Sequence, residues 1–138
     1  MDFAVSTTGT DQDFIVKVID VFPDDYGRDQ EFSYGRPPRP ARMGGYEMLL
    51  RGDVLRGKFR SDPAHPSHAE PFRPGVATPI HFVLNDVYHT FLPGHRVMVQ
   101  VQSTWFPMID RNPGRFEDIY TAKDGDFRAT MQLSLIHI

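Results

Sequence analysis

The chain has 138 residues, 40% of them hydrophobic and 24% charged, with twelve prolines, eleven glycines and no cysteine. That is the length of one domain, long enough to bury a sizeable core, and the composition excludes a wholly disordered chain. The missing cysteines exclude disulfides, thiolate chemistry and cysteine zinc sites. A net charge of −3 gives no electrostatic footing for nucleic acid or an anionic membrane, and no apolar run approaches the roughly 18 residues of a membrane helix.

Asp2 to Thr8 alternate weakly, with Phe3 and Val5 set against Ala4 and Ser6. Residues 9–13 (GTDQD) read as a turn. Phe14 to Val21 form a clear strand, with Phe14, Val16 and Val18 on one face and Ile15, Ile19 and Val21 on the other. Two largely apolar faces predict a central strand, or one covered on both sides. Residues 22–45 read as a long loop, either a contact-forming segment or a variable surface excursion. For Tyr46 to Phe59, Gly52 and Gly57 argue against a helix, and two short strands with a bend at Gly52-Asp53 are expected. A Pro-rich connection follows at 61–75, then a strand from Thr78 to Leu84 with Ile80, Phe82 and Leu84 on one face.

The least ambiguous stretch is Phe91 to Asn112. Pro93-Gly94 is a turn signal. From Arg96 to Ser103 the chain alternates, with Val97, Val99 and Val101 on the face expected to meet the core. The strand runs into Trp105, Phe106, Pro107 and Met108. Beyond the Asp110–Gly114 turn, one helical turn is expected at 116–122 and a weak last strand at Phe127–Gln132. Short strands, frequent turns and no long amphipathic helix predict an all-β sandwich or barrel.

Chemistry is sparse in this pattern. There is no G-x-S-x-G elbow, P-loop or dinucleotide fingerprint, so no catalytic and no cofactor-binding residue is assigned. His65, His68 and Glu70 approach metal-ligand spacing, but in a Pro-broken loop without a second ligand pair, so no metal site is assigned either. Asp11 and Asp13 lack the calcium-loop pattern and read as turn-capping side chains. Trp105 and Phe106 have the chemistry to stack on a sugar, although such aromatics more often serve as core or interface. Trp105, Phe106, Pro107 and Met108, rimmed by Asp110, Arg111 and Asn112, form the candidate interface to another domain.

Leu133 to Ile138, LSLIHI, departs from what precedes it. It is identical to a translation of a transposon adapter used in sequencing libraries. The expected division is therefore 1–132, an incomplete β-sandwich domain, and 133–138, adapter read-through. The alternative is a genuine C-terminal strand.

Residues 6–25 (STTGTDQDFIVKVIDVFPDD), 43–60 (MGGYEMLLRGDVLRGKFR) and 85–120 (NDVYHTFLPGHRVMVQVQSTWFPMIDRNPGRFEDIY) closely resemble the C-terminal domain of the X-Pro dipeptidyl-peptidase and cocaine-esterase family of serine hydrolases. Within that family they look most like the α-amino-acid ester hydrolase and glutaryl-cephalosporanic-acid acylase branch. The resemblance covers most of residues 3–130, weakens at 26–42 and 61–75, and stops at LSLIHI. It implies a jelly-roll β-sandwich of the galactose-binding-like kind, truncated at both ends. It also implies that this domain supports an α/β-hydrolase domain and a helical cap of the same polypeptide, which hold the Ser-Asp-His triad. None of that triad maps here; His89 and His95 belong to the domain's own motif. No cofactor, nucleic acid or membrane partner is implied, and homo-oligomerisation is left open. The family points to a periplasmic or secreted setting, although residues 1–15 do not read as a signal peptide. The alternative function is a free-standing carbohydrate- or ligand-binding sandwich.

Overall fold

The computed structural model describes residues 1–26, 32–34, 39–41 and 43–137, with side chains described for 1–26 and 43–133. Among the described residues, eight strands appear in chain order: β1 (Asp2–Thr7), β2 (Asp13–Val21), β3 (Phe32–Tyr34), β4 (Arg39–Ala41), β5 (Glu47–Arg56), β6 (Thr78–His81), β7 (Arg96–Gln102) and β8 (Gln132–His137). Only short 3-10 turns accompany them, at Gly57–Phe59, Pro66–His68 and Asp124–Asp126. The protein is an all-β sandwich of two antiparallel three-stranded sheets, ordered β6-β1-β8 and β5-β2-β7, with β3 and β4 paired separately.

β2 is the central strand of its sheet, as its two apolar faces predict. The chain divides into two compact units, the first of residues 1–16, 53–84 and 101–138, the second of 17–52 and 85–100. The core of the first unit comprises Phe3 and Val5 of β1, Phe14 and Val16 of β2, Ile80 of β6, and Phe72 and Phe82, with Leu55 and Val101 packed against it. Phe14 meets Phe3 edge-on at 5.5 Å between ring centroids and Phe72 at 6.2 Å. These offsets suit the aromatic quadrupole.

Phe72 is pinned from three sides. Its N–H donates to the Thr10 carbonyl at 2.8 Å. The Arg60 guanidinium lies 4.3 Å from its ring centroid. Gly57 closes the third side, donating its N–H to the Gln12 carbonyl at 2.8 Å; a Cβ there would sit 2.3 Å from that oxygen and 2.7 Å from the Phe72 ring.

In the second unit an aromatic cluster gathers where β2 ends. Phe22 contacts Tyr26 at 4.7 Å, Tyr46 at 5.6 Å and His95 at 4.4 Å between ring centroids. Gly44 packs so tightly on the Asp24 carbonyl that a Cβ would come within 2.2 Å of it.

Several expectations need correction. The loop at 22–45 contains the β3–β4 pair, in register Ser33 to Pro40; residues 27–31, 35–38 and 42 lie outside the described residues. β5 runs unbroken through Gly52-Asp53, because a glycine weakens a strand interior without forbidding extended backbone. β6 ends at His81, although Phe82 continues the pairing by accepting from the Met1 amino group and donating to the Met1 carbonyl. Residues 116–122 hold a turn closed by Thr121 N–H on the Asp118 carbonyl, not a helix. No strand forms at 127–131; the last strand, Gln132–His137, lies almost wholly on LSLIHI.

The largest miss is on β7. Val97 is 62% exposed and Val99 37%, while Val101 alone packs on the core. Alternation gave the strand but not its cover, because period two says that one face is apolar and nothing about what lies over it.

Candidate functional site

Two buried ionisable clusters organise the polar interior, one in each unit. In the first, Asp11, Gln12 and Asp13 lead into β2 and all three are buried. Asp11 Oδ1 accepts from the Gln12 N–H at 2.8 Å, which is the turn-capping role expected. The rest was not expected. Asp13 accepts from Arg56 Nη1 at 3.2 Å and Asn112 Nδ2 at 2.9 Å, and Lys58 Nζ stands 3.8 Å from Asp11 Oδ2. Burial pushes both carboxyls above their usual range, Asp13 to about 6, against the stabilising pull of Asn112 and Arg56 on Asp13 and of the Gln12 amide and Lys58 on Asp11. Asp11 Oδ2 and both side-chain heteroatoms of Gln12 are buried without a hydrogen-bond partner. They line a cavity of about 210 Å³ together with Ser103, Thr104 and Arg128, roomy and polar enough for water.

In the second unit, Asp20 of β2 is buried between two histidines. Its Oδ1 accepts from His95 Nδ1 at 2.8 Å and its Oδ2 from His89 Nε2 at 2.9 Å. A carboxylate can only accept, so each histidine holds its proton on the nitrogen facing Asp20. Burial alone would raise the Asp20 carboxyl; the two histidine hydrogen bonds outweigh it and hold it below the usual value. Superficially this is two-thirds of a charge relay. Yet His95 Nε2 is buried with no hydrogen-bond partner, and the ring is walled by Phe22 and Tyr26. The pairs fasten 85–95 to β2.

Neither cluster was assigned from sequence, though each left a signal. Asp20 is an acid in the apolar run FIVKVIDV, and a buried acid requires partners. Asp11/Asp13 and Arg56/Lys58 share an i, i+2 spacing, as paired extended segments would.

The remaining candidates fall as follows. His65 Nδ1 and His68 Nδ1 both bind the partly exposed Asp62, at 2.8 Å and 3.0 Å, while Glu70 pairs with Arg60. Of the candidate interface, Phe106 is 66% exposed, Met108 73%, and Pro107, Asp110 and Arg111 are also exposed; Trp105 is half-buried. Asn112 turns inward, donating to Asp13 and accepting from the Gly114 N–H at 2.8 Å. Arg111 stacks over the Phe127 ring at 5.5 Å. Phe106, Asp110 and Arg111, with Ile119, Tyr120 and Phe127, line a groove of about 670 Å³.

These features define a β-sandwich module with paired acids, bases and histidines in its interior. Residues 2–133 match the family described as the X-Pro dipeptidyl-peptidase C-terminal non-catalytic domain, and the chain belongs to that family. The cocaine esterase of Rhodococcus sp. (strain MB1 Bresler) is 34% identical over 111 residues, which make up 78% of this chain and 15% of that protein. Among solved structures, an aminopeptidase from a marine sediment Thaumarchaeota archaeon aligns with TM-score 0.74 and 42% identity, covering 95% of this chain and 20% of that one. An alpha-amino acid ester hydrolase aligns with TM-score 0.75 and 38% identity over 95% of this chain and 19% of that one. The chain thus spans no more than a fifth of the length of these relatives.

Proposed function

We propose that this chain is the non-catalytic sandwich of a multidomain serine hydrolase cleaving amide or ester bonds, and that it supports a catalytic α/β-hydrolase domain and cap carried by the same polypeptide. The observation that carries this reading is coverage: 95% of the chain aligns with a fifth of an aminopeptidase and of an ester hydrolase. The exposed apolar run Phe106-Pro107-Met108 and the groove beside it are the surface that docks on the catalytic domain. Apolar anchors with the charged rim of Asp110 and Arg111 are the anatomy of such a contact.

The family match ends at Leu133, where the adapter translation starts, and this supports reading 133–138 as read-through. Recovery of the source reading frame tests the whole proposal: a G-x-S-x-G elbow followed by Asp and His is expected upstream, and a different neighbour overturns it. The 138-residue chain, purified, is expected to leave aryl esters, α-amino-acid esters and X-Pro anilides intact. In the parent enzyme, Phe106→Asp with Met108→Asp is expected to weaken domain association and lower activity, whereas unchanged association would remove this surface from the interface.

A further inference from the structure

β1 has two neighbours of different character. On one side it pairs with β6, in register Phe3 to Ile80 and Val5 to Thr78, and Ile80 is core. On the other it pairs with β8, which sets Thr7, Val5 and Phe3 opposite residues 132, 134 and 136, and Ser6 and Ala4 opposite 133 and 135. Residues directly opposed in an antiparallel pair share a face. Phe3, Val5 and Thr7 are the buried face of β1. The core therefore calls for apolar residues at positions 134 and 136, and accepts polar ones at 133 and 135.

The sequence supplies the reverse at three of those four positions: leucine at 133 and 135 and serine at 134, with only Ile136 in phase. Leu133 is 72% exposed in consequence. A pattern displaced by one residue is a strand on the wrong face. The start of the pairing, by contrast, is firmly built from residues inside the family match. The Thr8 N–H donates to the Met131 carbonyl at 3.1 Å, and the Met131 N–H to Thr8 Oγ1 at 3.0 Å.

We propose that the β1 edge opposite β6 is a slot for a different strand: the polypeptide's own continuation beyond Gln132, with apolar side chains at 134 and 136 and polar ones at 133 and 135. LSLIHI fills the slot because a free ladder edge pairs with any extended β-forming segment. This inference rests on reading 133–138 as read-through.

The test is a phase swap in the 138-residue chain. Leu133→Thr, Ser134→Val and Leu135→Thr together put the apolar residues opposite Val5 and Phe3. The swapped chain is expected to melt several degrees higher than the unaltered one, with slower hydrogen exchange at the β1 amides facing β8. A swapped chain that melts at the same temperature or lower, or fails to fold, overturns the phase assignment. The source DNA beyond codon 132 supplies a second, independent outcome. A continuation with apolar residues at 134 and 136 supports the slot. A continuation polar at both positions overturns the slot while leaving the read-through reading intact. A genuine stop after Ile138 overturns the read-through reading itself, and with it the claim that another segment belongs there.

Discussion

Asp20 and His95 meet through a 2.8 Å hydrogen bond with both side chains 2% exposed, and Asp20 spends its other oxygen on His89. One buried carboxylate thus satisfies two imidazoles from the segment that leads into β7. Removing it strands two donors at once, on the buried His95 and on the partly buried His89, and an unpaired buried donor costs its full desolvation. Asp20→Ala is therefore expected to lower the melting temperature by more than either His89→Ala or His95→Ala, because each histidine deletion leaves Asp20 one partner. Thermal unfolding of the three variants checks the order. A loss in Asp20→Ala matched by one histidine variant, with none in the other, would mean that only one of the two bonds contributes.

The pH dependence of stability is expected to have two limbs of opposite sign. Asp20 has a folded pKa below its usual value, so its contribution is present above pH ~4 and lost as pH falls through the folded value. Asp13 is raised from 3.8 to about 6. A raised carboxyl favours the protonated folded state, so stability falls as pH climbs from about 4 to 6 and levels off above. The integrated shift is on the order of 3 kcal/mol at most. Denaturant titrations at pH 4.5 and 7 should show the chain more stable at the lower pH. In Asp13→Asn that difference should shrink by about 1–3 kcal/mol; an undiminished difference would assign it to another group.

The two acids also show how far the sequence could be read. The strands Phe14 to Val21 and Arg96 to Gln102 were legible because the first is apolar on both faces and the second alternates with period two, and pattern is a local property. Asp11 caps the Gln12 N–H as expected, whereas Asp13, read as part of the turn, opens β2. Their pairing with Arg56 and Lys58 was not visible, since it joins segments more than forty positions apart and depends on burial. The candidate interface residues divide by exposure. Phe106, Pro107 and Met108 lie exposed, whereas Asn112, taken as rim, serves Asp13 instead. Val97 and Val99 were assigned to the core because an apolar face was equated with a covered one. A domain that makes up a fifth of its relatives' length has no reason to cover all its apolar faces by itself.

Gly57 illustrates a residue read correctly for an incomplete reason. Its helix-breaking character argued for strands at 46–59, but its place in the structure demands the absence of a Cβ. In Gly57→Ala the new atom meets the Gln12 carbonyl at 2.3 Å and the Phe72 ring at 2.7 Å and 2.9 Å. The carbonyl is backbone and is held by the Gly57 N–H, so it cannot retreat without breaking that bond. The expected cost is roughly 2–4 kcal/mol from overpacking and the lost hydrogen bond, measured by denaturant titration. Gly75→Ala is a different control, since nothing lies within 4 Å of a Cβ there and only its φ of +76° opposes the change. It should cost about 1 kcal/mol. Equal costs at the two positions would show that the Phe72 pocket is looser than these distances indicate.

Val16 and Val99 are both strand valines with apolar alternation around them, and they should behave oppositely. Val16 is fully buried among Phe3, Phe14 and Ile80, so Val16→Ala removes two carbons from a packed site and leaves a cavity. The expected loss is roughly 2–3 kcal/mol. Val99 is 37% exposed in this chain, so Val99→Ala should cost under about 0.5 kcal/mol here. If the exposed face of β7 is covered in the longer polypeptide, the same Val99→Ala change should become more costly there than in the isolated chain. A Val99→Ala cost that is equally small in both settings would show that this face stays in solvent in the whole protein. A cost in the isolated chain near that of Val16→Ala would show that β7 is covered by this chain alone.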